Sequence, residues 1–290
     1  MSWYKVNLTC NKNDATVIEE ILVAHNAISI SIAQEKGNND IYEPNVGETP
    51  LWNTIKLSAL FDKKISKEVI SNFIKGVSHS NLYINKLDDQ NWIEKYQTNF
   101  KPIRFGKKLW VVPSRNKMPL NQEGIELKMD PGMAFGSGSH ETTHLCLEYL
   151  ERAKLNNLTI LDYGCGSGIL SIASLALGAK YAIATDVDPQ ALESTKNNSI
   201  NNNVAEKIEI VLPDLIPKTK IDILVANIFF NTLIDLRDEF LQLLNSGSKI
   251  VISGIMCNQL VLIRRHYEKF FYFKNFKIKN NWCLLEFEKK

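Results

Sequence analysis

Short apolar segments alternate with helical ones between residues 159 and 254, and this rhythm constrains the fold more than any other feature of the chain. Strands that alternate with helices form a mostly parallel sheet with helices on both faces. Such a sheet binds ligands beyond the carboxyl ends of its strands, so the residues that end the strands are the first functional candidates. The pattern predicts strands at 159–162, 181–186, 208–212, 221–227 and 249–254, and helices at 171–177, 189–202 and 231–244.

The first 90 residues follow another plan, with two β-α-β rounds that predict a small ferredoxin-like α+β domain. We expect Asp14 and Ser66 to be the N-caps of its two helices. A linker helix is expected at 91–105, and a larger α/β domain at 106–290. The linker carries an aromatic stripe that either packs against a neighbouring domain or takes part in substrate binding. The predicted elements of the small domain are strands 3–9, 27–34, 52–60 and 81–87 and helices 14–26 and 66–75, and the stripe is Trp92, Tyr96 and Phe100.

Composition excludes several classes of protein. Apolar residues make up 44% of the 290 residues and charged residues 23%, which is typical of a globular protein and not of a disordered one. The formal net charge of +2 is too small to favour general nucleic-acid binding. The five cysteines form no C-x-x-C pair, and neither an export signal nor an apolar run of about 18 residues is present. We therefore expect a cytoplasmic protein without membrane association.

A glycine-rich loop follows the strand at 159–162, in the order Asp162-Tyr163-Gly164-Cys165-Gly166-Ser167-Gly168. Gly164 and Gly166 let the backbone turn sharply and approach a ligand closely. A dinucleotide loop would read G-x-G-x-x-G, but here the third glycine comes one residue early and Asp162 precedes the loop. A carboxylate repels a diphosphate and favours the sulfonium and ammonium of S-adenosyl-L-methionine. The loop therefore predicts a class that binds this cofactor.

The strand at 181–186 ends in Asp186, 22 positions after Gly164. At this place a carboxylate can accept hydrogen bonds from both hydroxyls of a ribose, and we predict that Asp186 does so. The alternative is that Asp186 or Asp188 caps the helix that begins at Pro189, and we assign the capping mainly to Asp188. Asp214 either lies near the adenine edge or is a solvated loop residue.

The strand at 221–227 ends in Asn227, where the methyl donor should point. An amide cannot remove a proton at neutral pH, but it can accept a hydrogen bond from a neutral amine and aim the nitrogen lone pair. We predict that Asn227 is the catalytic residue and that its contribution is orientation. The alternative is an asparagine that satisfies only its own turn.

The run His140-Glu141-Thr142-Thr143-His144 matches the zinc-protease pattern H-E-x-x-H. No convincing third ligand follows it, and a glycine-rich loop at 130–139 precedes it, so we expect no metal here. The preferred interpretation is a lid that closes over a bound ligand. Ser139 would cap the helix, and Thr142 or Thr143 would lie in its first turn.

Together these segments resemble the ribosomal protein L11 methyltransferase family from residue 92 to the C-terminus, whereas residues 1–90 resemble its substrate-recognition domain more weakly. The resemblance implies a Rossmann-like class I methyltransferase domain that uses S-adenosyl-L-methionine. It also implies methylation, up to trimethylation, of lysine side chains and of the N-terminal α-amine of ribosomal protein L11. Family cofactor contacts fall on Thr143, Gly164, Asp186 and Asn227. The segments that carry the resemblance are 99–102, 130–143, 162–170, 186–191, 226–228 and 253–255.

Two positions depart from the family pattern. Glu141 stands where the family commonly has proline, and Phe229-Phe230-Asn231 stands where smaller residues are usual. These departures bear on the stiffness of the lid and on the shape of the substrate entrance.

Two other functions remain open on the sequence alone, a nicotinamide-dependent oxidoreductase and a non-catalytic ribosome-binding module. The first would need a complete G-x-G-x-x-G loop, and the second would bind its partner without methyl transfer.

Overall fold

The computed structural model describes residues 3–35, 51–87, 101–114, 116–119, 123–129 and 140–290. The chain divides into two compact units, Met1–Lys95 and Tyr96–Lys290. The aromatic stripe expected at residues 92–100 and the lid expected at 130–139 lie outside the described residues. The exact domain limits at 90 and 106 therefore stay predictions.

The first unit is a four-stranded antiparallel sheet with two helices. The strands are ordered β2-β3-β1-β4, and with the chain order β-α-β-β-α-β this is the ferredoxin-like arrangement that the sequence predicted. Its elements are β1 (Trp3–Asn11), α1 (Lys12–Ala24), β2 (Ser29–Gln34), β3 (Thr54–Phe61), α2 (Lys67–Phe73) and β4 (His79–Leu87).

The N-caps of this unit were predicted with mixed success. Ser66 caps α2 as expected, and its hydroxyl accepts a hydrogen bond from the Val69 N–H at 3.4 Å. The prediction of Asp14 for α1 is wrong, because β1 runs to Asn11 and the helix begins directly after it. The Asn11 side chain accepts from the Asn13 N–H at 3.1 Å, and Asp14 lies in the first turn.

The second unit begins with a small three-stranded sheet and then builds a seven-stranded one. The small sheet contains β5 (Ile103–Phe105), β6 (Leu109–Val112) and β7 (Ile125–Lys128). The large sheet contains β8 (Thr159–Tyr163), β9 (Tyr181–Thr185), β10 (Ile208–Val211), β11 (Ile223–Asn227), β12 (Lys249–Met256), β13 (Phe271–Lys279) and β14 (Trp282–Lys289). The helices of this unit are α3 (Glu141–Arg152), α4 (Ile169–Ala176), α5 (Pro189–Asn201), α6 (Phe230–Asp235), α7 (Arg237–Leu243) and α8 (Leu260–Glu268).

The order of the large sheet is β10-β9-β8-β11-β12-β14-β13. The pairs among β8, β9, β10, β11 and β12 are parallel, and β14 runs antiparallel to both of its neighbours. The chain order reverses between β8 and β11, and open sheets of this kind bind ligands at such a switch point. The core of this unit consists of two apolar clusters, which contain residues of the central strands and of the helices packed against them. Strand residues in these clusters include Leu161, Val225 and Ile252.

Two features of this unit differ from the sequence-based expectation. The helix expected at 231–244 is two helices, α6 and α7, which meet at Leu236. Apolar residues continue at helical spacing across this junction, so the sequence does not reveal the break. The C-terminal hairpin of β13 and β14 was not predicted. No helix of the described ranges has the length and apolar character needed to cross a bilayer.

Candidate functional site

The glycine-rich loop lies between β8 and α4, at the switch point of the sheet. The backbone N–H groups of Gly164 and Cys165 donate to the Thr185 carbonyl at the end of β9, at 2.8 and 2.9 Å. Gly164 has a φ of 77°, and a Cβ atom there would lie 2.4 Å from Cγ2 of Ile228. Only glycine satisfies both conditions, so the loop can lie against β9 and against the end of β11 at once.

The carboxylate of Asp186 organises the loop from the neighbouring strand. Its Oδ2 accepts from the Gly166 N–H at 3.0 Å, and its Oδ1 accepts from the Asp188 N–H at 3.0 Å. The helix cap belongs to Asp188, whose side chain accepts from the Gln190 N–H at 2.9 Å with Pro189 as the first helical residue. The predicted cap at Asp188 is therefore confirmed. Each carboxylate oxygen of Asp186 retains further acceptor capacity for a ligand hydroxyl.

Asp162 is buried beneath the loop, with 1% of its surface exposed. Its Oδ2 accepts from the Ser171 N–H at 3.0 Å and from the Ser171 hydroxyl at 2.7 Å, while Oδ1 has no partner within the described part of the chain. The pKa of Asp162 is raised to about 6, mainly by burial and to a smaller extent by the charge of Asp186, although the two Ser171 bonds act in the opposite direction. A buried anion that lacks a partner on one oxygen favours a cation nearby.

A row of buried polar side chains on α5 supports the loop from the other side. The Thr195 hydroxyl donates to the Gly166 carbonyl at 3.1 Å, and the Asn198 amide donates to the Ser167 carbonyl at 2.9 Å. Sequence reasoning missed both residues, because polar residues on a helix are usually read as its solvated face. Thr195 and Asn198 are three residues apart and therefore lie on the same face of the helix, and this spacing is the one sequence feature that could have indicated them.

Asn227 ends β11 and lies within hydrogen-bonding distance of α3. Its Nδ2 donates to the Thr143 hydroxyl oxygen at 3.4 Å. Thr143 is buried in the first turn of α3, while Asn227 is half-buried. Because the amide nitrogen is directed to Thr143, the amide oxygen is the atom left to receive a hydrogen bond from another group. The structure thus brings together two residues that are 84 positions apart in sequence.

The H-E-x-x-H segment forms the start of α3. The N-cap is His140, whose ring accepts from the Thr142 N–H at 3.4 Å, so the prediction of Ser139 as the cap is wrong. The two histidines of the segment contact different residues. The ring centroid of His140 lies 4.7 Å from that of Trp282, edge-on, and the ring centroid of His144 lies 4.3 Å from that of Phe105. Within the described ranges, no group of three or more His, Cys, Asp or Glu side chains is arranged to hold a metal ion.

The residues after Asn227 form the rim of this site. The backbone of Ile228 packs closely on Gly254, since a Cβ on Gly254 would lie 2.2 Å from the Ile228 carbonyl oxygen. Phe229 follows with 58% of its surface exposed, directly before α6. An exposed aromatic ring at this rim fits the expectation that the departure at 229–231 alters the substrate entrance, but Phe229 contributes no polar chemistry of its own.

These features fit S-adenosyl-L-methionine better than a dinucleotide. The glycine loop packs closely on its neighbours, since a Cβ on Gly164 would clash with Ile228 and one on Gly168 with Thr195, and the Asp162 Oδ1, which has no partner among the described residues, lies beneath it. The two carboxylates of Asp162 and Asp186 favour a cationic ligand and oppose a diphosphate. Asp214 is exposed in a short 3-10 turn at Pro213–Leu215, and nothing in its contacts distinguishes an adenine ligand from a solvated residue.

Comparisons with known proteins agree with this geometry. A family profile described as Ribosomal protein L11 methyltransferase (PrmA) matches residues 2–290. The ribosomal protein L11 methyltransferase of Hahella chejuensis is 34% identical over 287 residues, which cover 98% of each chain. That of Shewanella sp. strain ANA-3 is 36% identical over 295 residues and covers both chains completely. The crystal structure of a ribosomal protein L11 methylase from Lactobacillus delbrueckii subsp. bulgaricus matches with a TM-score of 0.60 and 31% identity, covering 66% of this chain and 100% of that one.

Proposed function

The chain belongs to the ribosomal protein L11 methyltransferase family, and from this premise we propose how its residues carry out the reaction. The protein is an S-adenosyl-L-methionine-dependent methyltransferase with a Rossmann-like class I fold, and its substrate is ribosomal protein L11. The predicted family, fold class, enzyme class and cofactor are thereby confirmed. A nicotinamide-dependent oxidoreductase and a non-catalytic ribosome-binding module are excluded as the main function.

We propose that the acceptors are lysine side-chain amines and the N-terminal α-amine of L11, each methylated up to three times. S-Adenosyl-L-methionine supplies, when bound, a methyl group on a sulfonium that an amine can attack in line. The amine must be neutral to attack. Burial beside a positive charge lowers the pKa of an amine, so the proton leaves to water without a dedicated base.

Asn227 orients the amine in this proposal. The contact that carries the argument is the 3.4 Å hydrogen bond from Asn227 Nδ2 to the Thr143 hydroxyl. Because this bond occupies the amide nitrogen, Oδ1 is left as an acceptor for an N–H of the neutral amine in the first and second transfers. An amine whose N–H is held in this way directs its lone pair away from the amide, and a misplacement of about 1 Å costs about 100-fold in rate, or about 2.7 kcal/mol. A neutral dimethylated amine has no N–H, so the third transfer does not use this hydrogen bond.

We propose that Thr143, Gly164, Gly166, Asp186 and Asn227 contact the cofactor, with Asn227 contributing less to cofactor affinity than to the orientation of the amine. The support for Asp186 is that both of its oxygens already bond backbone N–H groups, which fixes the carboxylate at the end of β9. A fixed carboxylate can accept from two ribose hydroxyls without losing side-chain entropy on binding. Gly164 supports the proposal through its positive φ and the absence of room for a Cβ.

We also propose that residues 1–90 bind the substrate protein and that the enzyme acts in the cytoplasm, without direct binding to nucleic acid or membrane. The first unit has an apolar core of its own, built from residues between Val6 and Leu82. It can therefore be removed without opening the core of the methyltransferase unit. If methylation of L11 continued at normal efficiency after deletion of residues 1–90, the domain would have no part in substrate recognition.

The main experiment measures transfer of a radiolabelled methyl group from the cofactor to purified L11, with intact mass to count the methyl groups. Asn227→Ala should lower the single-turnover rate about 100-fold, while the cofactor dissociation constant from calorimetry changes less than about threefold. Asn197→Ala, on the exposed face of α5, serves as the matched control and should behave as wild type. Loss of cofactor affinity with an intact single-turnover rate would show that Asn227 binds cofactor and does not orient the amine.

A further inference from the structure

The first turn of α3 is held by the tip of the C-terminal hairpin. Glu141 Oε1 accepts a hydrogen bond from Asn280 Nδ2 at 3.0 Å, and Lys279 Nζ lies 3.2 Å from His144 Nδ1. The ring of Trp282 meets the ring of His140 edge-on at 4.7 Å. Three contacts thus join the first turn of α3 to the tip of the hairpin, although the two segments are more than 130 positions apart in the sequence.

The hairpin tip is locally well defined. β13 and β14 pair up to Lys279 and Trp282, so the turn has only two residues, Asn280 and Asn281. Asn280 has a φ of 54°, a left-handed conformation that asparagine tolerates better than most residues. The same residue therefore closes the turn and presents its amide to Glu141.

The bond between Asn280 and Glu141 has a charged acceptor. The Glu141 backbone N–H and the Asn280 amide both lower the pKa of the Glu141 carboxyl, so it is ionised at neutral pH. His140, at 4.0 Å from Glu141 Oε2, adds a smaller effect in the same direction. A hydrogen bond to an ionised group is about twice as strong as one between neutral groups. It is suited to fixing the direction of a helix turn.

This turn carries the residue that holds Asn227. Thr143 lies two residues after Glu141 in the same helical turn, is 3% exposed, and receives the Asn227 amide. A shift of the turn therefore moves the Thr143 hydroxyl relative to Asn227. The Asn227 contact, at 3.4 Å, is already near the limit of a hydrogen bond, so a small displacement breaks it.

We propose that Asn280 is a positioning residue for methyl transfer, acting through Glu141 on Thr143 and thereby on Asn227. The proposal rests on the orienting role proposed for Asn227. It assigns a function to the H-E-x-x-H segment, in which Glu141 and His144 anchor the helix turn to the hairpin. Glu141, which departs from the family pattern, becomes the partner that makes the anchor polar.

The test uses a substitution that removes the bond and one that restores it. In Asn280→Asp, a carboxylate faces the carboxylate of Glu141, and we expect the single-turnover rate of methyl transfer to L11 to fall about tenfold. The cofactor dissociation constant should rise less than the rate falls, by under about threefold, because Gly164, Gly166 and Asp186 keep their positions and Thr143 is only one of the proposed cofactor contacts. Tm should stay within about 2 °C of wild type. In the double variant Glu141→Gln with Asn280→Asp, the new amide donates to the new carboxylate, and the rate should return to within about threefold of wild type.

A second asparagine of the same hairpin provides the matched control. Asn275 Nδ2 donates to Glu286 Oε1 at 3.3 Å, a contact of the same kind that lies at the other end of α3, where Glu286 also meets Arg152. Asn275→Asp should leave the transfer rate unchanged. The proposal is overturned if Asn280→Asp transfers at the wild-type rate, if the double variant is no faster than Asn280→Asp, or if Asn275→Asp is equally slow. Failure of the wild-type enzyme to methylate L11 would instead refute the proposed function.

Discussion

Replacing Asp162 by asparagine tests the electrostatics on which the cofactor site depends. The carboxylate is 1% exposed, and its Oδ1 has no partner in the portion of the chain that the structure describes. Burial is the largest cause of its raised pKa, which moves from 3.8 to about 6 although Ser171 donates two hydrogen bonds to Oδ2. At neutral pH, keeping Asp162 ionised therefore costs free energy in the folded protein that it does not cost in the unfolded chain.

The size of this cost follows from the two pKa values. A rise from 3.8 to about 6 corresponds to about 3 kcal/mol between the fully protonated and fully ionised limits. Because the folded pKa lies above the unfolded one, the folded protein binds more protons between about pH 4 and about pH 6. This group therefore stabilises the fold as the pH falls through that window. Between about pH 8 and about pH 4.5 its contribution is about 2 kcal/mol.

The Asp162→Asn variant removes this pH dependence while keeping the shape of the side chain. Its amide oxygen can accept both Ser171 bonds, and the amide nitrogen takes the place of Oδ1. Urea unfolding of wild type and variant at about pH 8 and about pH 4.5 gives two differences in the free energy of unfolding. Relative to wild type, the variant should be more stable at the higher pH than at the lower by about 2 kcal/mol. Groups that titrate in both proteins, such as His144, cancel in this comparison.

A pH-independent difference between the two proteins would refute the reasoning, because Asp162 would then titrate at its ordinary value. The same variant should bind S-adenosyl-L-methionine about tenfold more weakly in calorimetry, since the cation loses an anion nearby. If affinity were unchanged while the stability difference between the two proteins changed with pH as expected, Asp162 would be a buried structural group with no share in cofactor binding.

Two further substitutions test other parts of the cofactor site, and a third tests the hydrogen bonds between the end of α5 and β7. Gly164→Ala places a Cβ 2.4 Å from Cγ2 of Ile228 at a φ of 77°, so the loop must shift, and cofactor binding in calorimetry should weaken at least about tenfold; wild-type affinity would show that cofactor binding does not require this loop conformation. Asp186→Asn replaces one acceptor oxygen by a donor that faces a backbone N–H, and it should weaken cofactor binding at least tenfold, about 1.5 kcal/mol; unchanged affinity would remove Asp186 from the ribose site. Asn202→Ala removes two bonds to the Lys128 backbone, at 2.8 and 2.7 Å, and should lower the free energy of unfolding by about 1–2 kcal/mol; a value unchanged in urea titration would contradict this.

The strands of the parallel sheet could be predicted because each is a short apolar run bounded by turn residues, and burial on both faces requires such a run. The glycine loop was predictable for a similar reason, since a backbone conformation with positive φ, as at Gly164, strongly favours glycine and is a property of the local chain. Asp188-Pro189 marked the start of α5 because the cap acts within two residues of the chain. Family membership followed from these local patterns, and the comparisons confirmed it.

Sequence reasoning did not find the contacts that join distant segments. Nothing in the local sequence distinguishes Thr195 and Asn198 from surface residues, and they become loop supports only because α5 packs against the loop. The cap at Asn11 was missed because it depends on where β1 ends, and the cap at His140 was missed because histidine is not among the preferred N-cap residue types.

The sequence alone determined which chemical groups are available to the site: the loop glycines, the carboxylates of Asp162 and Asp186 and the amide of Asn227. Side-chain chemistry and the backbone freedom of glycine are properties of single positions. The tertiary structure alone decided the environment of each group: that Asp162 is dehydrated, that Asn227 turns its nitrogen to Thr143, and that a C-terminal hairpin holds the first turn of α3. Hydrogen bonds and desolvation depend on distances of a few ångströms between atoms. Those distances exist only after segments far apart in the chain have packed together.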